Sequence, residues 1–179
     1  MRVLISRQDL ERRVAELAAE IDRDYAGCER LVCIGVLKGS VFFMVDLLKR
    51  LTIPVAIDFF QAASYGAGTS PGEVRIRKDV DMSIRGKDVL LIEDIVDTGY
   101  TLRTILDLLR FRGARSVKLC ALLDKAPARA VEVPIDYKGF EIEPLFVVGY
   151  GLDFDERYRN LPYIAVLDSE DAATVPSPS

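Results

Sequence analysis

VLLIEDIVDTGYTL, residues 89–102, carries three different signals in one short segment. Val89, Leu90, Leu91 and Ile92 form an unbroken apolar run, the pattern of a strand buried on both faces. Glu93 and Asp94 follow at once, and Asp97 opens the turn Asp97-Thr98-Gly99-Tyr100-Thr101. Leu102, Ile105, Leu106 and Leu109 then recur at helical spacing until Gly113 stops the run. A buried strand that finishes in clustered carboxylates needs a partner for that charge.

The same strand, turn and helix order recurs upstream. LVCIGVL (31–37) reads as an apolar strand, KGS (38–40) as a turn and 41–51 as a helix, after which Pro54 leads into the strand VAIDFF. Downstream, SVKLCALL (116–123) completes a second βαβ unit, and short strands are predicted at 146–150 and 163–167. Ser6 and Asp9 form a capping-box pattern ahead of Leu10, Val14, Leu17 and Ile21, which predicts an N-terminal amphipathic helix. Strands alternating with helices imply an α/β, doubly wound, mostly parallel sheet flanked by helices. Few apolar anchors and several breakers mark 61–72, and EVRIRKDVD alternates like an exposed ribbon, so a flexible flap is expected over about 61–79. The polar tail 168–179 is expected to fray, and with neither repeat nor linker the whole of 1–179 reads as a single domain.

Composition narrows the chemistry. The 24 basic and 28 acidic residues are mixed along the chain and leave a net charge of -4, which gives no global attraction to nucleic acid or anionic lipid. There is no histidine, so Ser-His triads, His-based zinc sites and imidazole bases are excluded. Proton transfer falls to carboxylates, lysine, tyrosine or cysteine. Cys28, Cys33 and Cys120 show no paired zinc spacing and read as reduced core residues. No apolar run reaches the ~18 residues of a membrane span, and the N-terminus lacks a signal-type apolar segment, so a cytoplasmic protein is expected.

In doubly wound sheets, ligands gather at the carboxyl ends of the strands. The chain lacks G-x-G-x-x-G and P-loop spacing, which removes the Rossmann and P-loop readings. The turn 97–101 offers backbone N–H groups and two hydroxyls at a helix start. Taken alone, it is either a phosphate cradle or a capped helix with Asp97 or Thr98 as N-cap. Adjacent carboxylates suit vicinal sugar hydroxyls and hard Mg²⁺. A phosphorylated ribose with magnesium satisfies both halves.

SYGAGTSPGEVRIRKD, RGKDVLLIEDIVDTGYTL and GFEIEPLFVVGYGLDFDERYRNLPYIAVL, in that order, resemble the type I phosphoribosyltransferases, and in particular their bacterial hypoxanthine-guanine branch, over roughly 32–167. The resemblance implies that fold, with a small hood and the flap. It also implies transfer of a 5-phosphoribosyl group from phosphoribosyl diphosphate to N9 of a 6-oxopurine. Glu93 and Asp94 would then meet the ribose hydroxyls directly or through Mg²⁺, and Asp97 would act as base near purine N7. Thr98, Gly99, Tyr100 (through its N–H) and Thr101 would hold the 5'-phosphate. Lys38, Gly39, Ser64, Tyr65 and Arg159 would bind pyrophosphate, and Lys125, Phe146, Val147 and Asp153 the purine, with Asp153 also meeting a metal ion. Leu145 stands where some relatives carry lysine. The family implies a homo-oligomer, dimer or tetramer, with no nucleic-acid or membrane partner. Three other readings compete: a Mg²⁺-dependent phosphatase or kinase using Asp94 or Asp97, a nucleotide-sensing regulator that kept the pocket, and a phosphoribosyltransferase for another base. The first leaves Lys125, Phe146 and Asp153 unexplained. The second lacks an added helix-turn-helix or basic stripe.

Overall fold

The computed structural model describes residues 1–64 and 73–168. Its centre is a strand, β5 (Asp88–Val96), flanked by β2 (Leu31–Val36) and β6 (Ser116–Asp124). The sheet extends through β3 (Val55–Ser64) and β4 (Val74–Lys78) on one side and β7 (Tyr137–Glu141) on the other, in the order β4-β3-β2-β5-β6-β7. Every pairing is parallel except β3 with β4. The doubly wound, mostly parallel expectation holds.

Alternation along β5 explains why helices must cover both faces. Val89 and Leu91 pack against α3 (Tyr100–Phe111) through its buried stripe Leu102, Ile105, Leu106 and Leu109. Leu90 and Ile92 face the other way, onto α1 (Arg7–Asp24) and α2 (Val41–Leu48), which bury Val14, Leu17 and Ile21 and Phe43, Met44 and Leu47. Each such side chain contributes about 1.5–3 kcal/mol when fully buried. The two apolar layers therefore fix the sheet between helices. At the start of α1 the predicted cap is present: Ser6 Oγ accepts from the Asp9 N–H at 3.1 Å and donates to the Asp9 carboxylate at 2.6 Å.

Several boundaries differ from expectation. β5 does not stop at Ile92 but runs through both acids to Val96. The strands near 147 and 164 are shorter, β8 (Val147–Val148) and β9 (Ile164–Val166), and do not join the main sheet. They form a separate antiparallel sheet with β1 (Arg2–Ile5), a strand the helical pattern conceals, and this small sheet is the hood. β7 was also unforeseen, because YKGFE offers no apolar run. Of the expected flap, the flanks are paired ribbon, Ser64 opposite Val74, while 65–72 lie outside the described residues, as do 169–179 of the expected frayed tail.

Candidate active site

The carboxyl ends of β2, β5 and β6 open into a cleft of about 360 Å³. Lys38, Gly39, Asp94, Asp97, Lys125, Phe146, Val147, Asp153 and Arg159 line it together with Ile95 and Leu152. Residues predicted from segments scattered over the chain thus meet at one place. A larger cavity of about 440 Å³ lies between α1, α2 and the hood and contains none of them.

The alternation of β5 breaks at the acids. Ile92 and Ile95 pack on the same face although three positions apart, and in between each carboxylate bonds its own chain. Glu93 Oε1 accepts from the Asp94 N–H at 3.0 Å and Asp94 Oδ1 from the Ile95 N–H at 2.8 Å. Burial pushes both carboxyls up, and the Asp94 charge pushes Glu93 further, well above the usual carboxylate range. Asp94 lies tight against the loop after β2: a Cβ on Gly39 would sit 1.6 Å from Asp94 Oδ2. Gly39 is thus required by close approach, and the Leu37–Lys38 peptide before it is cis. From the hood, Gly151 approaches the same loop, where a Cβ would fall 2.0 Å from the Gly39 carbonyl.

The turn after β5 is not capped by a side chain. Gly99, at φ 93° in the left-handed region, occupies the N-cap of α3, and neither Asp97 nor Thr98 plays that part. The capped-helix alternative is therefore excluded, and the first N–H groups of α3 remain available as donors. Asp97 is half exposed, and its Oδ2 lies 3.6 Å from the Nζ of Lys125, a side chain only 13% exposed. Phe146 is 52% exposed, unlike a core ring, and meets Phe154 edge-on at 5.6 Å between centroids. Val147 is buried in β8.

Two cationic residues of the cleft, Lys38 and Arg159, are paired with carboxylates of the segment after β8. Arg159 reaches the Asp153 carboxylate at 2.9 Å and the Gly151 carbonyl at 2.7 Å, and Lys38 reaches Glu156 at 3.0 Å. Arg159 Nε is buried with no protein partner among the described residues. Glu93 lies beneath the cleft rather than in its lining. Thr98, Gly99, Tyr100 and Thr101 adjoin the lining through the α3 start, whereas Ser64 pairs with Val74 in the β3–β4 ribbon and is not among the lining residues, and Tyr65 lies outside the described residues. Sequence reasoning missed Phe154, Glu156, Asp124 and Arg129. Each looks like an ordinary surface or core residue until the chain folds.

No helix among the described residues is long and apolar enough to cross a membrane. The doubly wound sheet, its hood and a cleft over an uncapped helix start define an α/β protein with its ligand cleft at the carboxyl ends of the parallel strands. A family model, the phosphoribosyl transferase domain, matches residues 5–155, and the chain belongs to this family. Within it, the chain is 49% identical over 167 residues to the hypoxanthine-guanine phosphoribosyltransferase of Bacillus subtilis (strain 168), covering 93% of this chain and 92% of that protein. It is also 48% identical to the hypoxanthine phosphoribosyltransferase of Haemophilus influenzae, covering 94% and 96%. A bifunctional protein TilS/HprT of Listeria monocytogenes is 52% identical over 94% of this chain, which spans only 26% of that longer protein. Among solved structures, a Bacillus anthracis hypoxanthine-guanine phosphoribosyltransferase superposes with TM-score 0.91 at 44% identity, covering 94% of this chain and 99% of that one.

Proposed function

We propose that the chain transfers the 5-phosphoribosyl group of phosphoribosyl diphosphate to N9 of hypoxanthine or guanine, releasing pyrophosphate and IMP or GMP. One observation carries this beyond family membership. An ammonium and a carboxylate, Lys125 and Asp97, stand 3.6 Å apart in one cleft beside the half-exposed ring of Phe146. On a 6-oxopurine, O6 and N7 are neighbours on one edge. Lys125 donates to O6, Asp97 accepts the proton at N7, and Phe146 stacks on the ring while Val147 meets the base edge through its backbone. The N–H groups and hydroxyls of 98–101 bind the 5'-phosphate at the start of α3. Gly39, Lys38 and Arg159 take the pyrophosphate, and the family resemblance assigns Ser64 and Tyr65 to it as well. Binding then exchanges the Lys38–Glu156 and Arg159–Asp153 pairs for phosphate oxygens, and the buried, unpartnered Arg159 Nε supports this role.

The donor set fits Mg²⁺. Glu93 is a buried and Asp94 a partly buried oxygen donor, neither in an ion pair among the described residues, and Asp153 lines the same cleft as Asp94. No group of three or more such side chains is gathered closely enough to hold a metal alone among the described residues. This matches an ion that takes one or two carboxylates and completes its shell with ligand oxygens. When bound, it offsets the negative charge that grows on the leaving pyrophosphate. The same reading has a cytoplasmic dimer or tetramer, and the exposed Phe42 and Val45 on α2 support a subunit contact that light scattering can check.

Base choice tests the reading. Lys125 has three donors and no acceptor, so it opposes the 6-amino group of adenine. Two donors facing each other in a desolvated site cost roughly 1–3 kcal/mol, or about 10- to 200-fold in kcat/KM. Hypoxanthine and guanine should therefore exceed adenine by that factor, and Lys125→Ala should narrow the gap. Adenine rivalling hypoxanthine in the parent enzyme would overturn the 6-oxopurine assignment.

A further inference from the structure

We infer that Arg129, anchored by Asp124, is a positioning residue that aims the phosphate-binding turn, an inference that rests on the phosphoribosyl reading above. Three consecutive carbonyls leave β5 and enter the turn, and the segment after β6 holds all three. Val96 O accepts from the Lys125 N–H at 3.0 Å and from Arg129 Nη2 at 3.5 Å. Asp97 O accepts from Arg129 Nε at 2.9 Å. Thr98 O accepts from the N–H groups of Ala130 at 2.9 Å and Val131 at 3.1 Å.

A trans peptide points its C=O and the following N–H in opposite directions. Drawing the Asp97 and Thr98 carbonyls back onto 129–131 therefore turns the N–H groups of Thr98 and Gly99 the other way, out of that wall. The same contact explains the glycine: a Cβ at Gly99 would lie 2.7 Å from the Val131 carbonyl and 3.0 Å from Arg129 Cδ. The turn is thus pressed against Arg129.

The guanidinium is itself fixed from behind. Its Nη2 pairs with Asp124, a carboxylate 3% exposed at the end of β6, and the far oxygen of Asp124 takes Lys138 Nζ at 2.6 Å. Arg129 is only 17% exposed and is not among the residues lining the cleft, so it meets the turn from within the protein. Asp124 directly precedes Lys125, so one anchored guanidinium sets the turn beside the residue assigned to the purine. A planar fork can serve a carboxylate and two carbonyls at once. A lysine, as a point charge, cannot.

The test compares parent, Arg129→Ala and Arg129→Lys by steady-state kinetics with phosphoribosyl diphosphate and hypoxanthine, and by calorimetric binding of GMP. In both variants the KM for phosphoribosyl diphosphate and the Kd for GMP should rise about tenfold, while the KM for hypoxanthine stays within about twofold. Free guanidinium at millimolar concentration should lower the raised KM of Arg129→Ala, and methylammonium should not. A merely structural residue would lower the active fraction, reducing kcat with both KM values unchanged, and that result overturns the inference. So does a parallel rise in both KM values. If Arg129→Ala is recovered unfolded, Arg129→Lys carries the same comparison. A parent that neither binds GMP nor forms nucleotide sinks the phosphoribosyl reading and this inference with it. A parent that does both, with variants unchanged, sinks only the role of Arg129.

Discussion

The two ends of β5 use the same chemistry to opposite purposes. At its start, the Asp88 carboxylate accepts from Arg115 at 3.0 and 2.5 Å, from Ser116 Oγ at 2.8 Å and from Cys28 Sγ at 3.7 Å. Those bonds, the Arg115 bond foremost, hold its pKa down at about 2. At its end, Glu93 and Asp94 accept from the next backbone N–H groups and bond each other, form no ion pair among the described residues, and are pushed up by burial. A carboxylate with its acceptor sites filled by the protein stabilises the fold. A neighbouring pair with no ion-pair partner among the described residues favours a ligand that brings a cation.

That contrast breaks if the acid pair proves indifferent to metal. Stripping divalent ions with EDTA should take nucleotide formation to background, added Mg²⁺ should restore it, and the melting temperature of the ligand-free protein should barely move. Full activity in excess chelator would show that the open end of β5 needs no cation. The next largest effect is expected at Asp97, whose side chain is 55% exposed and packs little. Asp97→Asn keeps the shape and removes the proposed base, so kcat should fall about 10²-fold with stability nearly unchanged. Near-normal turnover would assign the proton to another acceptor.

Gly39→Ala sharpens the comparison sterically. Its new methyl would overlap Asp94 Oδ2, so either the carboxylate or the loop after β2 must shift. Overpacking of this kind costs about 1–3 kcal/mol. The shift falls on the site, so the KM for phosphoribosyl diphosphate should rise roughly 10-fold or more, since tenfold corresponds to about 1.4 kcal/mol. Unaltered kinetics would mean that Asp94 can move without consequence.

What the sequence disclosed follows the range of each interaction. The βαβ units, the apolar stripe of α3 and the Ser6 cap are written in neighbours three or four apart, and so was the carboxylate turn. β1 was hidden because four residues carry too little pattern, and its partner β9 lies at the far end of the chain. The end of β5 was misplaced because clustered acids look like solvated loop, whereas each carboxylate here bonds the next N–H and the strand goes on. The residues that line the cleft were legible through their motif. Their supports were not: the Gly39–Asp94 contact, the Phe154 edge and the Arg129–Asp124 anchor exist only once distant segments meet.

The smallest predicted effect belongs to the closed end of β5 and concerns stability alone. Asp88→Asn removes the charge that Arg115 and Ser116 hold in place. The folded carboxyl sits at about 2, against about 3.9 for an unfolded aspartate, and linkage converts that gap to about 2.6 kcal/mol before screening. Because Arg115 is 65% exposed, solvent screening reduces this to about 1–2 kcal/mol. For a chain of this size, that is a melting temperature lower by about 2–8 °C at pH 7. The folded pKa is depressed, so the contribution is complete above about pH 5, where both states are ionised. It shrinks as acid protonates the unfolded chain, and vanishes as pH falls through the folded value. Urea midpoints of parent and variant should therefore differ at pH 7 and pH 5, draw together at pH 3, and nearly coincide at pH 2, with kcat and both KM values at pH 7 within about twofold. A gap that persists unchanged to pH 2 would assign the stabilisation to something other than the Asp88 charge. A fall in kcat would show that the two ends of β5 are coupled after all.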